Sequence, residues 1–286
     1  MGFYMNIFVS TGGYYNETAV NTAYEFLEFG INKIELSGGI HSNNQIDEVL
    51  ELAKQCSIQL HNYYPPSKIP FVFNLASEDP IVENLSINHA LNAIDITSKI
   101  GGNEYSFHAG FRINPSVTEL GKKLSSSKLV KRKTSLDIFK KNVKYIANYA
   151  EKRKINLLIE NNVINNINFK KFGEDPLLLT NPIEIDNFMC CMPSNVGILL
   201  DVGHLKVSST VLKFDLKESL LKINKWIKGY HLSDNEGEFD TNSKLTNESW
   251  FWGQLIPNLK YTIEVYGLKK NELNEQYLFA KEKLTN

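Results

Sequence analysis

Residues 198–205 read ILLDVGHL, an apolar run that ends on Asp201 and reaches His204 just past Gly203. A short, unbroken apolar run marks a strand covered on both faces, as in a parallel sheet packed between helices. Such a strand has little reason to finish on a carboxylate and an imidazole unless its C-terminal end opens onto something polar. A satisfied core residue and a metal ligand both remain open from this stretch alone. The rest of the chain decides whether other strands end the same way.

Outward from this point, β-rich runs alternate with longer amphipathic ones. Strands are expected at 6–10, 33–36, 58–62, 104–108, 155–160, 196–201, 227–232 and 261–265. Between and after them, apolar residues recur at three- and four-residue intervals over 18–29, 46–56, 84–100, 134–153, 183–192, 215–226 and 271–284, the spacing of a helix with one buried face. Eight βα units in 286 residues predict an α/β fold of the (β/α)8 TIM barrel type, a single domain over 1–286. An open doubly wound sheet is the alternative, but Thr11-Gly12-Gly13 is not the glycine-rich phosphate turn that fold announces. The segments 109–133, 161–182 and 233–260 are long, and in a barrel all three emerge at the C-terminal face, where active sites are built. Gly203 reads as a tight turn beyond Asp201.

The composition, 42% hydrophobic and 22% charged, is that of a globular chain able to bury a large core. A formal net charge of -1 gives no overall attraction to nucleic acid or to an anionic membrane. Cys190 and Cys191 are adjacent and Cys56 is distant, so neither a disulfide framework nor a zinc knuckle is expected. No export signal or membrane span is read, which makes the cytoplasm the expected compartment.

The strand ends share a pattern. His61, His108, Glu160, Asp201, His231 and Glu264 fall at or near the ends of strands three to eight, and His204 follows Asp201. His41 and His89 fall outside it and read as surface or helix residues. The steps from Glu160 to Asp201 to His231 to Glu264 are each about one βα unit, so four consecutive strands contribute one side chain apiece. Neighbouring strands lie about 4.8 Å apart, close enough for inward-pointing end residues to share an ion. Three carboxylates in an apolar mouth would repel one another and resist desolvation; a divalent cation relieves both. Carboxylates with one imidazole suit Mn²⁺, Mg²⁺, Co²⁺ or Zn²⁺. Such an ion with two open positions could take a sugar carbonyl and its neighbouring hydroxyl and lower the cost of an enediolate, while Glu160 and Glu264 exchange the proton as acid and base.

Taken in order, HNYYPP (61–66), FVFNLAS (71–77), SFHAGF (106–111), LLIENN (157–162), GILLDVGH (197–204), YHLSDN (230–235) and TIEVY (262–266) resemble the xylose isomerase-like TIM-barrel superfamily. That group joins sugar isomerases and epimerases with the type-IV apurinic-site endonucleases. The resemblance implies that Glu160, Asp201, His231 and Glu264 are metal ligands, and that the two glutamates are catalytic. It implies that His204 contacts substrate or, in the nucleases, a further zinc.

The two branches differ in their demands. His61 and His108 match positions that hold a second Zn²⁺ in the nucleases, yet sugar-acting members also keep histidines there. A third zinc needs Asp-x-His after strand seven, where this chain has Asp240-Thr241-Asn242. INKIELSGG (31–39) resembles the isomerase entry to strand two and puts Glu35 near the barrel mouth. His61, His108, His204, Glu35 and Arg112 are therefore the candidate substrate-binding residues, Arg112 as an anion contact, with Lys206 as a weaker one. The stretch 121–133, GKKLSSSKLVKRK, holds basic residues without acids and could clamp a phosphate or simply be solvated. Tyr63, Tyr64, Phe71, Phe73, Trp250, Phe251 and Trp252 fall in mouth-side loops, where they could pack on a sugar ring or on the loops themselves. The expected function is a divalent-metal-dependent isomerase or epimerase of a sugar, with a small-molecule sugar as partner, and a homo-oligomer is compatible with it. Nucleic acid and membrane are not the expected partners. The alternatives are a zinc-dependent apurinic-site endonuclease or phosphodiesterase, and a metal-dependent dehydratase of a polyol-derived ketone.

Overall fold

Eight parallel strands close on themselves, each bonded to the next and β1 to β8. The computed structural model describes residues 6–125 and 128–285. The strands are β1 (Asn6–Ser10), β2 (Lys33–Ser37), β3 (Ser57–His61), β4 (Glu104–His108), β5 (Asn156–Glu160), β6 (Val196–Asp201), β7 (Ile227–Leu232) and β8 (Lys260–Ile263). Around them run α1 (Ala19–Glu28), α2 (Gln45–Leu52), α3 (Pro80–Lys99), α4 (Arg132–Glu151), α5 (Asn166–Phe172), α6 (Pro182–Met189), α7 (Val202–Leu212), α8 (Leu216–Ile223) and α9 (Lys270–Thr285). The expected TIM barrel is therefore the observed fold. Every residue of β6 is buried, as its unbroken apolar run requires. Helix α1 buries Val20, Ala23 and Phe26 against the barrel, and Phe139 of α4 stacks on Phe188 of α6 with ring centroids 5.0 Å apart. Among the described residues no helix is long and apolar enough to cross a membrane.

Most differences from the sequence reading are end effects with local causes. Helix α3 starts before residue 84 because Asp79 caps it, its carboxylate accepting from the Ile81 N–H at 2.8 Å, and Pro80 fits the first turn. The segment 161–182 contains α5, begun by an Asn165 cap and stopped by Gly173 in the left-handed region. Strand β8 ends at Ile263, one residue before Glu264, although the Glu264 N–H still reaches the Leu232 carbonyl at 3.0 Å. The largest correction concerns Gly203. It is not a turn; the chain passes from β6 directly into α7, because the Asp201 carboxylate caps the helix. Glycine is required there by space, since a Cβ would lie 2.8 Å from Ser233 Oγ and 3.1 Å from Asn235 Nδ2.

Candidate metal centre and active site

Four strand ends converge at one rim of the barrel. Glu160 closes β5, Asp201 closes β6, His231 sits in β7 directly opposite Asp201 in the pairing register, and Glu264 follows β8. Each offers one ligand atom, and the four atoms lie within 4.8 Å of one another. All four residues are buried. Glu160 Oε1 and Oε2, Asp201 Oδ2 and His231 Nδ1 are buried without a directed hydrogen bond. Orphaned buried acceptors are costly, and a cluster of them on carboxylates and one imidazole is the donor set that a hard or borderline divalent cation satisfies. The residues present fit such an ion.

The local structure explains how each ligand is held. Asp201 Oδ1 accepts from the His204 N–H at 2.7 Å as the α7 cap, which leaves Oδ2 free. Asn161 clamps the same residue by its backbone, its Oδ1 accepting from the Asp201 N–H at 2.8 Å and its Nδ2 donating to the Asp201 carbonyl at 3.1 Å. Behind His231, Nε2 donates to Glu35 Oε2 at 3.0 Å, which turns Nδ1 toward Glu160 and Glu264. Gln59 Nε2 donates to the same Glu35 oxygen at 2.6 Å. Glu35 is thus not a mouth residue in reach of substrate; it is fully buried behind a candidate ligand. Its position follows from the alternation of β2, which turns Glu35 into the barrel below its rim.

Charge in this cluster is strongly coupled. Burial pushes the Asp201 carboxyl up to about 7. Glu160 goes the other way: burial opposes its ionisation, but His108, His231 and His61 outweigh it and hold it well below the usual range. Burial likewise disfavours a charged His231, yet Glu35, Glu264 and Glu160 raise it.

The remaining expected residues separate clearly. His61 Nε2 is 3.1 Å and His108 Nδ1 3.6 Å from Glu160 Oε2, and with Glu160 they form a second group whose ligand atoms lie within 4.8 Å of one another. Glu35, His61 and His231 meet the same measure as a third group, but the Glu35–His231 hydrogen bond already occupies it. His204 donates from Nδ1 to the Asn161 carbonyl at 2.7 Å and reaches Asp240 Oδ2 from Nε2 at 3.1 Å. The Asn242 side chain donates to the Glu264 carbonyl at 3.1 Å, so no imidazole completes a third zinc set there. Arg112 is not delivered to the site: its guanidinium is spent on the Val130 carbonyl at 3.0 Å, Glu174 at 2.6 Å and the Asp175 carbonyl at 2.7 Å. Lys206 pairs with Asp234 at 2.8 Å. In the basic stretch Arg132 holds Glu184 through both carboxylate oxygens and Lys133 pairs with Asp137, while Ser126 and Ser127 lie outside the described residues. The charges of Arg132 and Lys133 are thus paired, and Lys122 of this stretch lines the cavity.

A cavity of ≈ 340 Å³ stands over the ligand cluster, with His108, His204, Asp240, Glu264 and Tyr266 in its wall. Tyr63 and Phe73 also line it, one of the two placements the sequence left open for them, joined by Phe111 and Phe239. Trp250, Phe251 and Trp252 instead pack on one another and on Phe279, and Tyr64 is buried under α2. His89, read as a surface or helix residue, lies on α3 and is buried, donating to the Asn62 carbonyl at 2.7 Å. Tyr266 was missed although it lies two residues past Glu264. Its hydroxyl donates to Glu264 Oε1 at 2.6 Å, and its ring lies on Gly12 and Gly13, where a Cβ would come within 2.5 Å and 2.9 Å of it.

A closed eight-stranded parallel barrel with carboxylates and an imidazole gathered at its C-terminal rim defines the class. The chain matches the family described as xylose isomerase-like TIM barrel over residues 19–263, and it belongs to that family. Comparison with curated proteins gives no match. Among solved structures it is similar to a D-tagatose 3-epimerase-like protein, at 20% identity over 98% of this chain and 97% of that one, with a TM-score of 0.70. It is also similar to D-psicose 3-epimerase from Clostridium cellulolyticum H10 (14% identity, 98% and 99% covered, TM-score 0.67). A third, 3-keto-D-glucoside 4-epimerase from E. coli, matches at 10% identity with 97% and 99% covered and a TM-score of 0.68. At these identities the likeness establishes the shared barrel.

Proposed function

We propose that this protein is a divalent-metal-dependent isomerase or epimerase of a small sugar. The observation that carries the reading is the convergence of Glu160, Asp201, His231 and Glu264, buried and with ligand atoms within 4.8 Å of one another, beneath a cavity of small-molecule size. The sugar epimerases among the similar structures agree with it. These four residues would hold the ion, which when bound supplies Lewis-acid polarisation of the sugar's oxygens. Glu264 opens to the cavity and is the carboxylate in position to exchange a proton with a substrate carbon, and Glu160, with a ligand atom within 4.8 Å of it, is its partner. Tyr266 holds Glu264 Oε1 and so fixes the direction of that carboxylate. His108 presents a polar edge to the bound sugar, His204, its ring nitrogens held by Asn161 and Asp240, forms the wall beside it, and Tyr63 and Phe73 shield it from water.

A second reading, a zinc-dependent apurinic-site endonuclease, draws on the His61–His108–Glu160 group. Asn242 in place of an imidazole, and the pairing of Arg132 and Lys133 with acids, weigh against it. The test is exchange of solvent deuterium into D-fructose, D-allulose or D-tagatose by the Mn²⁺-loaded protein. Exchange is expected in the wild type and absent in Glu264→Gln; undiminished exchange in that variant removes Glu264 from proton transfer.

A further inference from the structure

Asn62 stands one residue past β3 with φ 43, in the left-handed region that costs a side chain energy and that asparagine tolerates better than most. Its backbone is held there from three sides. The N–H donates to the Ser106 carbonyl at 2.7 Å, and the carbonyl accepts from His89 Nε2 at 2.7 Å and from the Tyr105 hydroxyl at 2.9 Å. Both donors are buried, and both spend these hydrogen bonds on this loop.

The side chain is treated in the opposite way. It is 4% exposed, it lines the cavity, and its Oδ1 has no hydrogen-bond partner among the described residues. Two other loop asparagines show what a structural carboxamide does in this protein. Asn162 donates to the carbonyls of Ala109, Gly110 and Leu178, and Asn74 engages Phe111, Ile113, Asn114 and Ala76. Asn62 uses its backbone for structure and leaves its amide oxygen buried in the cavity wall without a hydrogen-bond partner. A strained residue over-determined by its surroundings, with an orphan acceptor in the wall of a binding cavity, is the arrangement of a ligand contact.

Position supplies the chemistry. The candidate metal ligands come from β5 to β8, whereas Asn62 comes from β3 beside the aromatic wall of Tyr63 and Phe73. A sugar held by two oxygens at the cluster would extend toward it. We propose that Asn62 is a specificity-determining residue whose carboxamide oxygen accepts a hydrogen bond from a substrate hydroxyl outside the two oxygens at the metal centre. This rests on the isomerase or epimerase reading above.

Asn62→Gly tests it cleanly, because glycine relieves the left-handed strain while removing the amide. With the Mn²⁺-loaded full-length chain and D-fructose, D-allulose and D-tagatose as probes, KM should rise about tenfold to a hundredfold. The value of kcat should stay within about twofold, since a remote contact binds ground and transition states alike, and the melting temperature should not fall. Asn62→Ala should give the same KM shift. Turnover with unchanged KM in both variants overturns the role of Asn62 and leaves the epimerase reading intact. Absence of turnover or exchange with every one of these ketoses in the wild type overturns both.

Discussion

Asp201 divides its two carboxylate oxygens between structure and chemistry: Oδ1 accepts the His204 N–H at 2.7 Å to start α7, while Oδ2 is buried without a hydrogen bond beside the other candidate ligands. One residue therefore ends a strand, begins a helix and faces the site. Asp201→Asn keeps a capping oxygen, and asparagine caps a helix about as well as aspartate. The variant should retain the metal-free fold to within about 1 kcal/mol in urea melts while losing most of its metal, read by elemental analysis. Asp201→Ala should in addition lose about 1 kcal/mol with the cap. Wild-type metal content in Asp201→Asn would remove this residue from the ligand set.

Metal binding should stabilise the native chain. An ion that binds only the folded state adds about 2.7 kcal/mol at a hundredfold excess over Kd, so Mn²⁺ should raise the melting temperature and a chelator reverse it. The isomerase reading expects one ion per chain, with the count unchanged in His61→Ala. Two zinc ions per chain, falling to one in His61→Ala or His108→Ala, would instead engage the second group and favour the nuclease reading.

Glu35 is expected to act on the metal without touching it. Its Oε2 accepts from His231 Nε2 at 3.0 Å and fixes which imidazole nitrogen is left for the ion. Glu35→Gln should weaken metal affinity about tenfold to a hundredfold, the usual cost of losing such a partner. Titration followed by calorimetry measures it, and an unaltered affinity would show that packing alone orients His231.

Asn74 organises the mouth rather than the chemistry. Its Nδ2 donates to the carbonyls of Phe111 and Ile113 and to Asn114, and its Oδ1 accepts from the N–H groups of Ala76 and Phe111. Asn74→Asp keeps the acceptor and deletes the donors, so stability should fall by about 2 kcal/mol or more. Metal content should be unaffected, and an unchanged urea midpoint would show that the loop closes without this hub.

How far the sequence reached depended on how local each determinant was. The strands at 6–10, 104–108, 196–201 and 227–232 are bounded as expected, because turn and charge signals flank their apolar runs directly. Glu160, Asp201, His231 and Glu264 were legible as a set because a barrel repeats its geometry at each βα unit, so spacing along the chain stands in for proximity. Glu35, Arg112 and Asn62 were not legible in this sense. A strand-end acid, a loop arginine and a loop asparagine look alike in sequence whether they face substrate, a neighbouring carboxylate or a carbonyl.

What this sequence determined by itself is therefore the barrel and the four strand ends that converge on one rim, both consequences of periodicity and chain length. Tertiary structure alone decided the direction of each polar side chain. It turned Glu35 behind His231, spent Arg112 on Glu174 and two carbonyls, set Tyr266 on Gly12 and Gly13, and left the Asn62 amide oxygen without a hydrogen-bond partner in the cavity wall. The reason is physical: hydrophobic periodicity fixes which face of an element is buried, but a buried polar group goes where a partner of matching chemistry lies, and that partner is usually distant in the chain.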